Sequence, residues 1–270
     1  MKRILPNRAI IRLTGPDMLH LLGRTVTHSV DNWQTGEMRY GALLTPQGKV
    51  IADYLAMLAL ENIYLDVHVD AADDLEKRLK MFRMRNEVEI DRLTGDVVTE
   101  GSWVDVRSPD LPHRAITPAG VSGIDMPEDE WHAARIAAGV PEWGADYRGA
   151  EVFPTDINMD MMGGIDYRKG CFVGQEVASR MKRKGKIRKR TLKVTGDALE
   201  AGADILAEAP IGTVTSVAGE AGLALVRTDR LAKAGQDGKS FTCNGAPVMF
   251  DLTAWQQAEI ASHLTETAHD

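Results

Sequence analysis

Between Arg8 and Ile90 the hydrophobic pattern changes period repeatedly, and this limits the available folds more than any other feature. Arg8–Leu13 reads as a strand, and Thr14-Gly15-Pro16-Asp17 then opens a helix with Met18, Leu19 and Leu22 on its apolar stripe. Tyr40–Leu44 and Val50–Leu60 read as strands around a turn at Thr45-Pro46-Gln47-Gly48-Lys49. Ile63, Leu65, Val67 and Val69 alternate with polar neighbours, the period of a half-buried strand. Leu75, Leu79 and Phe82 share one face of a helix expected over Ala72–Arg83, and Val88 and Ile90 return to strand. No Gly-x-Gly-x-x-Gly or Walker-type run occurs, so the expectation is an α+β sandwich and not a doubly wound nucleotide-binding sheet.

The composition shifts between Leu93 and Met126, where Gly, Pro and Ser separate short strand-like runs at Trp103–Val106 and Arg114–Ile116. Pro127-Glu128-Asp129-Glu130 opens a helix to about Ala138, its acidic first turn suiting the helix dipole. Beyond Arg190, five short strands alternate with Gly-rich turns: 191–194, 212–217, 223–227, 239–243 and 248–252. That spacing predicts a small β-barrel or sandwich. The expected division is an α+β region over 1–186, built as two interleaved subdomains, a barrel over 187–253 and a tail over 254–270.

There are two cysteines, 72 positions apart, too few for a disulfide framework. The charged start, Met1 to Arg8, has no apolar stretch of signal-peptide length, and no run approaches the roughly 20 apolar residues of a membrane span. The expectation is a soluble cytoplasmic protein. The seven histidines are scattered and no Cys-x-x-Cys occurs, which argues against a protein-only metal site. Eight basic and no acidic residues fall between Arg180 and Arg190 on a chain of net charge −7. A strip this local can grip one polyanion, but it argues against general nucleic-acid binding.

Cys243 precedes an Asn-Gly turn and reads as a structural strand residue. Cys171 is different. It stands in Lys169-Gly170-Cys171-Phe172-Val173-Gly174-Gln175-Glu176, where the glycines allow close approach and Arg168 and Lys169 favour thiolate. Lys169 and Arg180 are candidates for supporting the thiolate or an anionic ligand, and Gln175 and Glu176 for fixing the loop by hydrogen bonds.

This run resembles the Lys-Gly-Cys-Tyr-x-Gly-Gln-Glu hallmark of YgfZ-type proteins, folate-binding relatives of the glycine-cleavage T protein that assist iron–sulfur cluster assembly. Thr14–Asp17, Leu44–Val50, Arg135–Pro141, Phe153–Asn158 and Ile187–Arg190 resemble further segments of that family in order. Phe172 replaces the usual tyrosine. The resemblance implies an aminomethyltransferase-like ring of domains with ferredoxin-like α/β modules and a small C-terminal β-barrel. It also implies a central cavity for tetrahydrofolate or a derivative, with the cysteine loop at its mouth. Trp131 would line that cavity, and Arg135, Asp53 and Arg180 would contact the folate. The partners implied are folate and iron–sulfur client or carrier proteins. The transferases of the superfamily carry paired aspartates and a glutamate where this chain has Ala52-Asp53 and Ala137. The expected role is therefore that of an accessory protein. Alternatives are a tetrahydrofolate-dependent aminomethyltransferase or demethylase, and an RNA-linked factor using the basic strip.

Overall fold

The structure is a computed structural model that describes residues 2–183 and 187–266. Lys184 and Lys186 of the basic strip, the expected boundary at 186 and the end of the tail lie outside the described residues. In chain order the elements are β1 (Lys2–Ile4), β2 (Arg8–Thr14), α1 (Met18–Thr25), β3 (Met38–Leu44), β4 (Val50–Ala59), β5 (Asn62–His68), α2 (Val69–Arg83), β6 (Glu89–Leu93), β7 (Val97–Trp103), β8 (Arg114–Thr117), β9 (Gly123–Asp125) and α3 (Glu128–Ala137). An irregular stretch over 138–174 leads to α4 (Gln175–Arg183). Then follow β10 (Lys189–Thr195), β11 (Asp204–Ala207), β12 (Ala209–Ala218), β13 (Ala221–Arg227), α5 (Thr228–Gln236), β14 (Thr242–Cys243), β15 (Ala246–Pro247), β16 (Met249–Asp251) and α6 (Ala254–Glu266).

The first sheet runs β3-β4-β5-β2-β6, every neighbour antiparallel. Its period-two pattern sorts the side chains by face. Ile63, Leu65 and Val67 pack with Leu21 and Leu22 of α1 and Leu75 and Leu79 of α2. The opposite face carries Tyr40, Ala42, Leu55 and Met57, and there the irregular stretch contributes Tyr147, Val152, Ile157, Met159, Ile165 and Phe172. So long a loop inside a compact fold is held by its own buried apolar side chains. A second sheet, β8-β7-β1-β9, builds a smaller core with Leu5, Ile10, Val98, Met126 and Trp131.

The C-terminal strands form a seven-stranded, nearly closed barrel in the order β15-β14-β11-β12-β13-β10-β16. The expected strand at Trp103–Val106 is corrected. β7 ends at Trp103 because the next residues turn Asp105 inward, where its carboxylate accepts from Arg107 and Arg114. In the barrel, strand 239–243 shortens to Thr242–Cys243, β11 and β15 are additional, and an amphipathic helix, α5, intervenes. The tail, which the sequence left open, is helical to Glu266. Cys243 is fully buried in the barrel core, as its setting suggested.

Candidate functional site

The thiol loop is anchored on both sides of Cys171. Lys169 Nζ donates to the carbonyls of Val26 and His28, both at 2.7 Å, and lies 5.2 Å from the Phe172 ring centroid. Burial lowers the Lys169 ammonium to about 8. Phe172 is sunk under the first sheet. Gln175 Nε2 donates to the Lys169 carbonyl at 3.4 Å, and its backbone N–H to the Phe172 carbonyl at 3.2 Å. Gly174 has φ +80°, and a Cβ there would stand 2.5 Å from the Thr45 carbonyl oxygen, so only glycine lets the loop close on the β3–β4 turn. Between these anchors Cys171 is exposed. Glu176 and Arg180 are exposed on α4. Lys169 thus acts on the loop's backbone path, where the sequence assigned it electrostatic support of the sulfur.

A second group of polar residues lies at the junction of the three sheets. Asp66 accepts from Arg8 Nε and Arg114 Nη1, each at 2.5 Å. Arg114 reaches on to Asp105 at 2.9 Å, and Arg107 holds the same carboxylate at 2.7 and 2.9 Å. Burial alone would raise Asp105, but the guanidiniums of Arg107 and Arg114 outweigh it and hold the acid well below the usual carboxylate range. Trp131 is buried, donates Nε1–H to Glu142 at 2.9 Å, and has the Arg114 guanidinium 5.0 Å from its ring. Arg135 is fully buried and pairs with Asp146 at 2.5 Å and Glu142 at 3.3 Å. Asp146 also accepts from Thr215 and Ser216 of the barrel, both at 2.5 Å. Asp53 accepts from Tyr40 Oη at 3.1 Å; burial, and then this carboxylate, push the Tyr40 phenol well above its ordinary value.

The eight residues singled out by sequence therefore fall in two places. Lys169, Cys171, Gln175, Glu176 and Arg180 share the thiol loop and α4. Asp53, Trp131 and Arg135 belong to the buried junction, where the Arg135 guanidinium is held by internal carboxylates.

Beside the junction is a cavity of 310 Å³ whose lining includes Arg107, Ala137, Asn158, Met162, Thr191 and Trp255. Asn158 Nδ2 donates to the Thr191 carbonyl at 2.7 Å, while its buried Oδ1 has no partner among the described residues. Arg107, Asn158 and Trp255 were not among the sequence candidates. Asn158 ends one of the segments quoted for the resemblance, which was the one available signal. Val173 of the thiol loop lines a different hollow.

Residues 188–258 match the CAF17 C-terminal beta-barrel domain. The chain is 30% identical over 217 residues to the mitochondrial iron-sulfur cluster assembly factor IBA57 homolog of Pyricularia oryzae, covering 70% of this chain and 55% of that one. It is 27% identical over 227 residues to the homolog of the same name from Neurospora crassa, covering 70% and 52%. The chain spans about half the length of these curated relatives. In fold it is similar to the aminomethyltransferase T of the glycine cleavage system from Bartonella henselae, with a TM-score of 0.75 at 14% identity over 94% of this chain and 86% of that one.

The relatives correct one expectation. They are named as mitochondrial, which points to mitochondria and away from the cytoplasm. The cytoplasmic reading rests on two unpaired cysteines and on the lack of a signal-like or membrane-spanning run; free thiols mark a reducing compartment without saying which. Among the described residues no helix is long and apolar enough to cross a membrane. By barrel, fold and relatives together, the chain is similar to the IBA57-type cluster assembly factors and has the aminomethyltransferase-like fold, which fits the YgfZ-type resemblance of its motif.

Proposed function

We propose that this chain is an accessory protein for the assembly or repair of iron–sulfur enzymes, with Cys171 as the group that meets the cluster and the 310 Å³ cavity as a site for tetrahydrofolate or a derivative. The observation that carries the reading is the exposure of Cys171 on a loop otherwise tied down, in a chain similar to named cluster assembly factors. A [4Fe–4S] cluster takes four thiolates as a rule. Cys243 is sealed in the barrel, so Cys171 contributes one ligand and the rest come from a carrier or client protein. Lys169, Phe172 and Gln175 hold the sulfur at a fixed point of approach.

The cavity suits a pterin. The orphaned Asn158 Oδ1 is an acceptor for a ring N–H, Arg107 is a donor for a ring carbonyl, and Trp255 and Met162 offer apolar walls. Tetrahydrofolate carries one-carbon units on its nitrogens. Aminomethyl transfer is disfavoured by Ala137, which lines this cavity where the transferases of the superfamily carry a glutamate, and by Ala52, which packs among the helix-side core residues.

The test pairs calorimetric titration of tetrahydrofolate with complementation of a strain lacking its own homologue. Asn158→Leu should weaken folate binding by at least about tenfold, because it removes the buried acceptor. Cys171→Ala should bind folate normally and fail to complement. Full complementation by Cys171→Ala removes the thiol from the function, and no heat of folate binding to the wild type removes the pterin site.

A further inference from the structure

A hollow of 560 Å³ lies next to the thiol loop, walled by Arg24 at the end of α1, Phe82, Met84 and Arg85 at the end of α2, and Val173. Its two cations have no carboxylate partner among the described residues. The arginines of the junction are paired with carboxylates, as are many at the surface, such as Arg3, Arg78 and Arg227. Arg24, Arg85, Arg168 and Arg180 make no side-chain hydrogen bond or ion pair to another described residue. Two of the four line the hollow, one lies three residues before Cys171, and one is on α4. On a chain of net charge −7, free carboxylates are available elsewhere, yet these guanidiniums are left without one.

We infer that the hollow is a binding site for a small thiol or disulfide bearing carboxylates, and that it delivers the ligand's sulfur to Cys171. The chemical class follows from the walls. Guanidiniums take carboxylates as planar, bidentate partners. Phe82, Met84 and Val173 accept a short aliphatic body, and the exposed Cys171, two residues from Val173, supplies the reacting atom.

With a disulfide the step is an exchange. The Cys171 thiolate attacks one ligand sulfur, a new S–S bond forms as the ligand's own S–S bond breaks, and the departing thiolate takes a proton from water. Cys171 is oxidised and half of the disulfide reduced, so no further oxidant is needed. The inference goes beyond the proposed function and needs neither folate nor a cluster.

The experiment uses the full chain without folate or cluster, and follows adduct formation at Cys171 by mass spectrometry. Oxidised glutathione is the anionic probe and hydroxyethyl disulfide the neutral one, each compared with a cysteine-containing model peptide. The expected result is a rate with oxidised glutathione that saturates with concentration, and an anionic-to-neutral preference about tenfold above that of the peptide. Arg24→Gln combined with Arg85→Gln should abolish saturation and reduce the preference to the peptide's value, leaving the neutral rate unchanged. Arg24→Lys with Arg85→Lys should restore most of the preference, which repair of a merely structural lesion would not require.

A rate strictly linear in oxidised glutathione, a preference unmoved by the glutamine pair, or no rescue by the lysine pair overturns the proposal. None of these outcomes bears on complementation by Cys171, so the failure of this site is distinguishable from failure of the cluster role.

Discussion

The junction and the thiol loop are both rich in arginine and use it in opposite ways. At the junction Arg107, Arg114 and Arg135 are buried, the Arg8 side chain is almost enclosed, and the four are bound to Asp66, Asp105, Glu142 and Asp146. Around Cys171 the arginines are exposed and free of internal partners. Inside, a guanidinium without its carboxylate would be an uncompensated buried charge, so pairing is obligatory. Outside, water solvates the charge and pairing is optional, so an unpaired cluster is open to a ligand. The first arrangement fixes the three sheets relative to one another; the second leaves chemistry available.

The contrast predicts very different energetic effects. Arg114 stands between two fully enclosed carboxylates, Asp66 and Asp105. Replacing it with alanine takes one of two guanidinium partners from each, leaving Arg8 on Asp66 and Arg107 on Asp105, and breaking a buried pair from one side costs about 3–5 kcal/mol. Arg24→Gln with Arg85→Gln should change stability by no more than about 0.5 kcal/mol per site, as surface substitutions do. Urea unfolding of both variants measures the difference. A cost below about 1 kcal/mol for Arg114→Ala would erase the distinction.

His28 sharpens the comparison, being buried and next to the thiol loop's anchor. Its Nδ1 meets the Ser29 carbonyl at 2.9 Å, while Nε2 has no partner among the described residues. Burial lowers the imidazole to about 4; the Ser29 hydrogen bond opposes it, and the nearby charges of Lys169 and Arg39 act with burial. The unfolded chain titrates near 6.5. Between those values the unfolded state takes up the proton first, so the stability present above about 6.5 is lost as pH falls toward 4. The loss from this group should approach about 2–3 kcal/mol. Urea unfolding at pH 7 and pH 4.5 should show it in the wild type and a flatter dependence in His28→Gln. An equal slope in both would place the acid sensitivity elsewhere.

The sequence was legible where one residue's role depends on near neighbours. The alternation at Ile63, Leu65 and Val67 and the stripe at Leu75 and Leu79 identified the strand and helix that pack together, because those periods are local. Gly174 and Cys171 were legible as a tight, accessible loop. The junction was not, since Arg8, Asp66, Arg114 and Asp105 meet only through tertiary folding and carry no common spacing. For the same reason Arg135 read as a free fork for a ligand, although Asp146 and Glu142 hold it. Lys169 was recognised as important from its place in the motif. Its carbonyl partners, Val26 and His28, lie more than a hundred positions away in sequence, beyond the reach of any motif.

The smallest expected effect separates the two cysteines. Cys243 sits at no measurable exposure in the barrel core, its strand paired to β11 and β15. Serine there buries a hydroxyl among apolar neighbours and should cost about 1–3 kcal/mol. Cys171 makes no such packing, so Cys171→Ser should stay within about 0.5 kcal/mol of wild type. Alkylation gives the same contrast kinetically: Cys171 should react in the native protein, and Cys243 only at the rate at which the barrel opens. If both thiols reacted together under native conditions, the barrel would be opening on the timescale of the reagent. The loop would then have no special claim to accessibility. Protection of Cys171 alone would instead mean that the loop closes over its sulfur, removing the exposed thiol on which both the cluster role and the exchange step depend.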